Sequence, residues 1–191
     1  MVYDKNRVAV LIPALNEEIT IGSVVLQAKE YAGDVMVVDD GSRDRTSEVA
    51  RMAGAEVIRL DENQGKAFAV KTGLNLLKNR KLDAVVMVDG DGQHRIPDLP
   101  AVIEPVFRGE ADLVIGSRLI SNGHRIPAYR RLGQRTLNQF TNIGAKECLT
   151  DTQSGFRAMN MNGVRNMDFN CSGYSLESGM IVHFASRGLT I

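Results

Sequence analysis

Apolar and polar positions follow two different periods along the N-terminal part of the chain. Short apolar runs rich in valine and isoleucine are typical of strands buried on both faces of a parallel sheet. The runs that predict strands are Val8–Ile12, Asp34–Val38, Glu56–Leu60, Ala84–Val88 and Leu113–Gly116. The segments between them carry apolar residues at helical spacing, and the predicted helices are Asn16–Ala28, Asp44–Ala53, Lys66–Lys78 and Asp98–Arg108. This alternation predicts a parallel sheet wrapped by helices and joined by right-handed crossovers.

The pattern is less regular beyond Arg118. It predicts a helix over Tyr129–Lys146, a polar loop over Leu149–Arg157, a short helix that begins at Asn162 and a last helix over Leu176–Arg187. Residues Gly188 to Ile191 look like a turn and the first part of a strand, so we expect the natural chain to continue beyond them. With 191 residues, the sequence is most simply one domain, 1–191, that is long enough to bury a sizeable core.

The strand predicted at Ala84–Val88 runs directly into Asp89-Gly90-Asp91-Gly92, and Gln93 and His94 follow. Ligands of open α/β sheets bind beyond the carboxyl ends of the strands. Two carboxylates there repel each other unless a cation lies between them, and Mg²⁺ takes a few carboxylate oxygens and completes its shell with water and phosphate oxygens. The alternative is a surface turn, because Asp-Gly pairs are common turn formers. The position directly after a buried strand favours the metal site.

Polar residues also follow the first two predicted strands. Asn16 and Glu17 come after the first strand, and Asp39 and Asp40 come after the second. Because parallel strands end at the same edge of a sheet, we expect these side chains to converge on one crevice. A nucleotide suits such a crevice, since carboxylates accept hydrogen bonds from base N–H and ribose hydroxyl groups. The alternatives are a helix N-cap for Asn16 and a turn that caps the next helix for Asp39 and its neighbours.

Composition narrows the possible classes of function. Basic and acidic residues balance at 23 each, and aromatic residues make up 5% with no tryptophan, so nucleic acid is not indicated as a partner. We find no apolar run long enough to span a bilayer and no signal-peptide pattern at the N-terminus. Cys148 and Cys171 lie apart, which predicts reduced, cytosolic cysteines. Arg118, Arg131 and Arg157 offer positive charge for phosphate oxygens, with a solvated helix face as the alternative.

Four short motifs occur in a fixed order along the chain. They are Pro13–Glu18, Val38–Ser42, Asp89–His94 and Asp151–Arg157. Together they resemble glycosyltransferase family two, of the GT-A fold, and in particular its dolichyl-phosphate mannose and glucose synthase branch. The resemblance extends from about Val8 to Ile191 and implies an α/β, Rossmann-like GT-A architecture, in which helices flank a mostly parallel sheet. It also implies a nucleotide-sugar site at the C-terminal ends of the strands.

The resemblance implies an inverting, metal-dependent transfer of a sugar from a UDP- or GDP-sugar to dolichyl phosphate or another polyprenyl phosphate. The implied ligands of the Mg²⁺ or Mn²⁺ cofactor are Asp89, Asp91 and Gln93. The residues implied to bind the nucleotide sugar are Pro13, Leu15, Glu17, Asp39, Asp40, Asp89 and Gly90. Those implied to contact the phosphates or the acceptor are Arg118, Arg131, Ser154 and Arg157, and those implied to act in catalysis are Asp91, Arg131 and Asp151.

The role of Asp151 depends on the chemistry of the acceptor, and so does the function of the protein. Asp151 is the candidate general base for a hydroxyl acceptor, whereas an acceptor phosphate is already an anion and needs no strong base. A lipid acceptor implies a cytoplasmic chain that works at the inner face of a membrane.

Two alternative functions stay open: a transferase of the same fold with a soluble sugar or polysaccharide hydroxyl as acceptor, and a nucleotide-sugar-binding module without catalysis. A dinucleotide-binding Gly-x-Gly-x-x-Gly motif does not follow the first strand, which argues against a dehydrogenase.

Overall fold

The computed structural model describes residues 3–116, 154–167 and 176–191. Its strands are β1 (Val8–Ala14), β2 (Asp34–Asp39), β3 (Glu56–Arg59), β4 (Ala84–Met87), β5 (Leu113–Ile115) and β6 (Arg157–Asn160). Its α-helices are α1 (Ile21–Tyr31), α2 (Thr46–Met52), α3 (Lys66–Leu77), α4 (Leu99–Phe107), α5 (Met161–Asn166) and α6 (Leu176–Ser186). Short 3₁₀ helices cover Lys5–Arg7 and Ile96–Asp98. The helix predicted over Tyr129–Lys146 lies outside the described residues, as do Cys148 and Cys171.

The strands form one sheet in the order β3-β2-β1-β4-β6-β5. The first four strands of the chain pair in parallel, as the sequence predicts. β6 lies between β4 and β5 and runs antiparallel to both. The α/β architecture with a mostly parallel sheet is therefore confirmed. The prediction of a loop over Leu149–Arg157 followed by a short helix missed β6, because its four residues are too few to show a strand period.

Helices cover both faces of the sheet. On one face, Val8, Val10 and Ile12 of β1 pack in a core with residues of α1, α2 and α4. On the other face, Ala9 and Leu11 pack with residues of α3, α5 and α6. Every residue of β1 is buried, because successive side chains point to opposite faces and both faces are covered. Among the helices of the described part of the chain, none is long and apolar enough to cross a membrane.

The close packing of α3 on β1 depends on Gly73. A β-carbon at residue 73 would overlap Cδ1 of Leu11 and stand 3.0 Å from its Cδ2. Any larger residue would push the helix away from the strand, since the interior is already densely packed. Gly73 therefore allows α3 to pack closely on Leu11 of β1.

The first crossover departs from the prediction at Asn16. The predicted N-cap is wrong: α1 begins at Ile21, and the backbone of Asn16 is left-handed, with a φ of 57°. The side-chain Oδ1 of Asn16 accepts a hydrogen bond from the backbone N–H of Arg43 at 2.8 Å. The backbone N–H of Asn16 donates to Oγ of Ser42 at 2.9 Å. Asn16 therefore joins the end of β1 to the end of β2 at the edge of the sheet.

Candidate active site

The carboxyl ends of β1, β2 and β4 meet the first turn of α3 around a pocket of about 430 Å³. A volume of this order is typical of pockets that bind small molecules and cofactors. The lining residues are Pro13, Ala14, Leu15, Glu17, Asp40, Asn63, Gly65, Lys66, Ala69, Asp89, Gly90 and Asp91. Of the residues predicted to bind the nucleotide sugar, all except Asp39 are in this lining.

Asp40 holds the loop that forms one wall of the pocket. Its Oδ1 accepts a hydrogen bond from the backbone N–H of Gln64, and its Oδ2 accepts one from the backbone N–H of Gly65, each at 2.8 Å. Gly65 has a backbone φ of 91°, a conformation that residues other than glycine rarely adopt. The carboxylate of Asp40 is therefore both a pocket residue and the anchor of the segment that leads into α3.

Asp39 has a different position from its neighbour. Its side chain is fully buried, with Oδ1 accepting a hydrogen bond from the backbone N–H of Ser42 at 2.8 Å. Its Oδ2 accepts a hydrogen bond from the hydroxyl of Ser47 in α2. These contacts match the alternative in which this residue stabilises the turn before the next helix. The prediction that Asp39 contacts the nucleotide sugar stays a prediction, and its described contacts are structural.

Asp89 lies between two cationic or potentially cationic groups at the end of β4. Its Oδ1 is 2.7 Å from Nζ of Lys66, and its Oδ2 is 3.2 Å from Nε2 of His94. The His94 ring stacks on Phe156, with ring centroids 5.4 Å apart and planes 20° apart. Gly155, next to Phe156, packs directly against the carboxylate. Residues just before β6 therefore pack against Asp89, in addition to the contact with Lys66.

These contacts shift the pKa values of Asp89 and Lys66. Burial alone raises the pKa of Asp89, but the hydrogen bond from His94 and the charge of Lys66 outweigh burial and hold that pKa well below its usual range. Burial alone lowers the pKa of Lys66, and the charges of Asp89 and Glu177 reverse this effect and raise it. Asp89 and Lys66 are therefore both ionised at neutral pH.

The Gly90–Gly92 turn carries the second carboxylate into the pocket. Thr20, just before α1, donates a hydrogen bond from its Oγ1 to the carbonyl oxygen of Gly90 at 2.8 Å. Oδ1 of Asp91 accepts a hydrogen bond from the backbone N–H of Gln93 at 2.9 Å. The turn is thus fixed to α1, with the half-buried Asp91 beside the ion pair of Asp89.

The donor set at this edge fits a hard divalent cation. Mg²⁺ is usually held by one or two carboxylates, with water and substrate phosphates as its other ligands. Asp89 and Asp91 supply two carboxylates in the same pocket. Within residues 3–116, 154–167 and 176–191, no group of three or more His, Cys, Asp or Glu side chains is placed to hold a metal. The set therefore suits a cation that arrives with a phosphate-bearing ligand better than a closed structural metal centre.

Ser154 and Arg157 make buried contacts to backbone groups. The hydroxyl of Ser154 donates to the carbonyl oxygen of Gly116 at 2.7 Å. The guanidinium of Arg157 donates to the carbonyl oxygens of Ser154 and Glu177, at 2.8 and 2.7 Å. Both residues are fully buried. Their predicted contacts with a phosphate stay predictions, and their described contacts hold the segments around β6 together.

Three further predicted residues cannot be placed in the site. Arg118, Arg131 and Asp151 lie outside the described residues. Their predicted roles in phosphate binding and catalysis stay predictions. The described part of the site is consequently the side where the nucleotide sugar is expected.

Comparison with known proteins identifies the family. The family described as Glycosyl transferase family 2 matches residues 9–167. The chain belongs to glycosyl transferase family 2. The match spans β2 to β6, all of β1 except Val8, and the whole pocket lining, and it confirms the resemblance carried by the sequence motifs. The chain is therefore a glycosyltransferase enzyme.

Relatives of this family 2 enzyme cover most of its length. An uncharacterized protein of Methanocaldococcus jannaschii is 33% identical over 98% of this chain and 79% of its own length. The undecaprenyl-phosphate mannosyltransferase of Micrococcus luteus is 31% identical over 97% of this chain and 80% of its own length. The UDP-N-acetylglucosamine–dolichyl-phosphate N-acetylglucosaminyltransferase of Methanococcus voltae is 29% identical over 81% of this chain and 70% of its own length.

A solved structure shares the fold. Glucosyl-3-phosphoglycerate synthase of Mycobacterium tuberculosis, in complex with Mn²⁺, UDP and glucosyl-3-phosphoglycerate, has a TM-score of 0.74 and 25% sequence identity to this enzyme. The match covers 95% of this chain and 66% of that one. It confirms the GT-A fold predicted from the sequence.

The sequence interpretation missed Lys66, which lines the pocket, and its partner Glu177. Nζ of Lys66 lies 2.7 Å from Asp89 and 3.0 Å from Glu177. A lysine after glycine at the start of a helix, as in Gly65-Lys66, is a recognisable signal for a phosphate site. Glu177 carries no local signal, because it is 111 residues from Lys66 along the chain.

Proposed function

We propose that this enzyme transfers a sugar, with inversion, from a nucleoside diphosphate sugar to a polyprenyl phosphate, and that it uses Mg²⁺ or Mn²⁺. The observation that carries this proposal is the pairing of Asp89 and Asp91 in one pocket with the ammonium group of Lys66. Carboxylates that can hold a cation, next to a positively charged lysine, suit a ligand that carries a diphosphate.

The nucleoside fits the part of the pocket between the ends of β1 and β2. Pro13 and Leu15 offer apolar surface to a base, and Leu15 is 37% exposed. Glu17 and Asp40 supply carboxylate oxygens that accept hydrogen bonds from base N–H or ribose hydroxyl groups. A UDP-sugar is supported by the name of the Methanococcus voltae relative and by the UDP in the mycobacterial structure.

The diphosphate fits at the end of β4. Asp89 and Asp91 are the residues that would hold the cation, and Gln93 follows them as a further candidate ligand. The Mn²⁺ in the mycobacterial structure supports a divalent cation in this family. When bound, such a cation acts as a Lewis acid that stabilises negative charge on the leaving diphosphate. Lys66, which also lines the pocket, adds a second positive charge for the diphosphate.

The acceptor phosphate supplies its own nucleophile. One of its oxygens forms a bond to the anomeric carbon of the sugar, while the bond from that carbon to the diphosphate breaks and the nucleoside diphosphate leaves with the bonding electrons. The phosphate oxygen is already anionic near neutral pH, so no side chain has to remove a proton. We assign Arg118 and Arg131 to the phosphates and Asp151 to orientation of the acceptor loop.

A polyprenyl phosphate acceptor places the enzyme at a membrane surface, and we propose the cytoplasmic face. The names of the Micrococcus luteus and Methanococcus voltae relatives support a lipid phosphate acceptor. A second candidate is a soluble acceptor that carries a phosphate. The mycobacterial structure supports it, because that relative is named for transfer to phosphoglycerate.

The test is a transfer assay with the whole chain. The protein is incubated with Mg²⁺ or Mn²⁺, a radiolabelled UDP- or GDP-sugar, and either polyprenyl phosphate or 3-phosphoglycerate. Label that partitions into the organic phase measures transfer to lipid, and labelled anion in the aqueous phase measures the soluble product. Asp91→Ala should lower transfer by about a hundredfold or more. Asp98→Ala is the matched control, because Asp98 lies outside the pocket lining and faces Arg95 at 3.8 Å.

The outcomes separate the candidates. Metal-dependent label in the lipid, lost in Asp91→Ala and retained in Asp98→Ala, supports the polyprenyl phosphate acceptor and identifies the donor. Label only in the soluble product replaces the lipid with a soluble phosphate acceptor. Transfer that is unchanged by chelation of divalent cations would contradict the assignment of Asp89 and Asp91.

A further inference from the structure

The ammonium group of Lys66 bridges two carboxylates from distant parts of the chain. Nζ lies 2.7 Å from Oδ1 of Asp89 at the end of β4 and 3.0 Å from Oε1 of Glu177 at the start of α6. The exposed fractions of the side chains are 39% for Lys66, 27% for Asp89 and 15% for Glu177. Glu177 is thus the least exposed of the three side chains, although it does not belong to the pocket lining.

The position of Lys66 conflicts with the proposed cation site. Oδ1 of Asp89 faces the ammonium group, and the same carboxylate is assigned to a divalent cation. Two cations that share one carboxylate repel each other strongly at such separations. The lysine therefore competes with the divalent cation for Asp89, and cation binding requires that Nζ move away from Oδ1.

Glu177 offers Lys66 a second carboxylate that does not belong to the cation site. Its backbone is held in place, because the carbonyl oxygen of Glu177 accepts a hydrogen bond from Nη1 of the fully buried Arg157 at 2.7 Å. Arg157 also donates to the carbonyl oxygen of Ser154 at 2.8 Å. The lysine side chain, in contrast, is a flexible stem of four carbons. The mobile partner of this ion pair is Lys66, and the fixed partner is Glu177.

We infer that the ammonium group of Lys66 competes with a divalent cation for Asp89, and that Glu177 is a positioning residue that draws Lys66 away from Asp89 when the cation binds. This inference rests on the proposed function, since it takes Asp89 as a cation ligand. It gives the start of α6 a role in donor binding, although α6 does not line the pocket.

The inference predicts that neutralising Lys66 and neutralising Glu177 change the affinity for Mn²⁺ in opposite directions. Lys66→Met removes the competing charge, so Mn²⁺ binds the nucleotide-free protein about threefold or more tightly than it binds the wild type. Glu177→Gln leaves Asp89 as the only carboxylate among the described residues that faces the ammonium group, so Mn²⁺ binds less tightly by a similar factor. In the double variant, the effect of Glu177→Gln shrinks to less than about half, because its action passes through Lys66.

The measurement is a titration of the whole chain with Mn²⁺, in which electron paramagnetic resonance reports the free ion. Asp91→Ala identifies the portion of binding that belongs to the pocket. Lys71→Met and Glu110→Gln are the matched controls, since both residues are exposed and neither lines the pocket. Thermal unfolding shows that each variant is folded, and Lys66→Gln is a second neutral variant in case Lys66→Met is unstable.

Several results would overturn the inference. Equal Mn²⁺ affinity in the wild type and Lys66→Met, or no binding by either, shows that the ammonium group is not what limits cation binding. An equal effect of Glu177→Gln with and without Lys66 shows that Glu177 acts directly. The proposed function is judged separately, by whether the wild type binds UDP more tightly with Mn²⁺ than without it.

Discussion

The backbone of Gly155 packs against the carboxylate of Asp89, so that a β-carbon at residue 155 would overlap Oδ2 and stand 2.9 Å from Cγ. The carboxylate cannot swing aside freely, because Lys66 and His94 hold its two oxygens. The chain just before β6 therefore closes one side of the acidic end of β4. A residue far along the sequence thus restricts the orientation of a side chain that lines the pocket.

Gly155→Ala should destabilise the protein by about 1–3 kcal/mol, the usual cost of forcing an extra carbon into a packed site. Either the backbone before β6 or the Asp89 carboxylate has to move. Urea unfolding measures the effect. Gly90→Ala is the matched comparison, because its β-carbon would stand 3.4 Å from Ala14 and Ile21, an ordinary contact, and we expect little loss of stability. Equal stability of Gly155→Ala and the wild type would contradict the packing.

Asp40→Asn should lower both stability and UDP affinity. The carboxylate accepts from the backbone N–H groups of Gln64 and Gly65, and an amide presents an acceptor to only one of them. A donor left without an acceptor costs about 1–3 kcal/mol at Gln64 and less at Gly65, whose N–H also donates to Oδ1 of Asn63 at 3.0 Å, and the loop that lines the pocket is loosened. Chemical unfolding and calorimetric titration with UDP measure the two effects. Asp61→Asn, at an exposed position nearby, should change neither quantity.

Asp89 should make stability depend on pH in the acid range. Its pKa is lowered in the folded protein despite partial burial, because His94 and Lys66 favour the charged form. The stability it contributes is therefore complete above the ordinary carboxyl pKa near 4 and is lost as the pH falls toward the lower folded pKa.

The test compares unfolding free energies of the wild type and Asp89→Asn between about pH 5 and pH 2. The wild type should lose stability more steeply, by up to about 1.4 kcal/mol per pH unit. Asp98→Asn serves as the control at a surface position and should follow the wild type. Parallel curves for Asp89→Asn and the wild type would show that Asp89 does not have a lowered pKa.

Tyr3→Phe should leave stability unchanged or raise it by up to about 1 kcal/mol. The side chain of Tyr3 is buried, and its hydroxyl has no hydrogen-bond partner in the part of the chain that the structure describes. Burial, with Tyr31 and Glu104 nearby, raises the pKa of Tyr3 to about 12. Phe107→Ala, which removes the ring 6.3 Å from that of Tyr3, should instead be destabilising. A clear loss of stability in Tyr3→Phe would reveal a partner for the hydroxyl.

The parts of the fold that the sequence predicts are those with a local pattern. β1 and β4 are buried on both faces, so each is a continuous apolar run that stands out among its neighbours. β6 has no such run, because it is short and carries a buried Arg157 whose partners are backbone carbonyl groups. The residue type of Asn16 predicts a helix cap, whereas its contacts to Ser42 and Arg43 depend on the next crossover.

At the site, too, the sequence predicts residues that have a local pattern and misses contacts between distant segments. Asp40, Asp89 and Asp91 could be predicted, because an acidic residue directly after a buried strand marks the carboxyl edge of the sheet. The structural contacts of Asp39 could not be separated from those of Asp40 by sequence position alone. The link from Lys66 to Glu177 joins groups 111 residues apart, and only the packing of α3 and α6 on the same face of the sheet brings them together.

The insertion of β6 between β4 and β5 has a consequence for biosynthesis. All the residues that line the pocket lie between Pro13 and Asp91, so that part of the chain leaves the ribosome first. β5 follows it, but its partner in the described sheet is β6, which begins at Arg157. Until β6 emerges, the outer edge of β4 stays unpaired, and open strand edges invite association between chains. The nascent enzyme therefore exposes an open strand edge while the segments that line its pocket have already been synthesised and β6 has not.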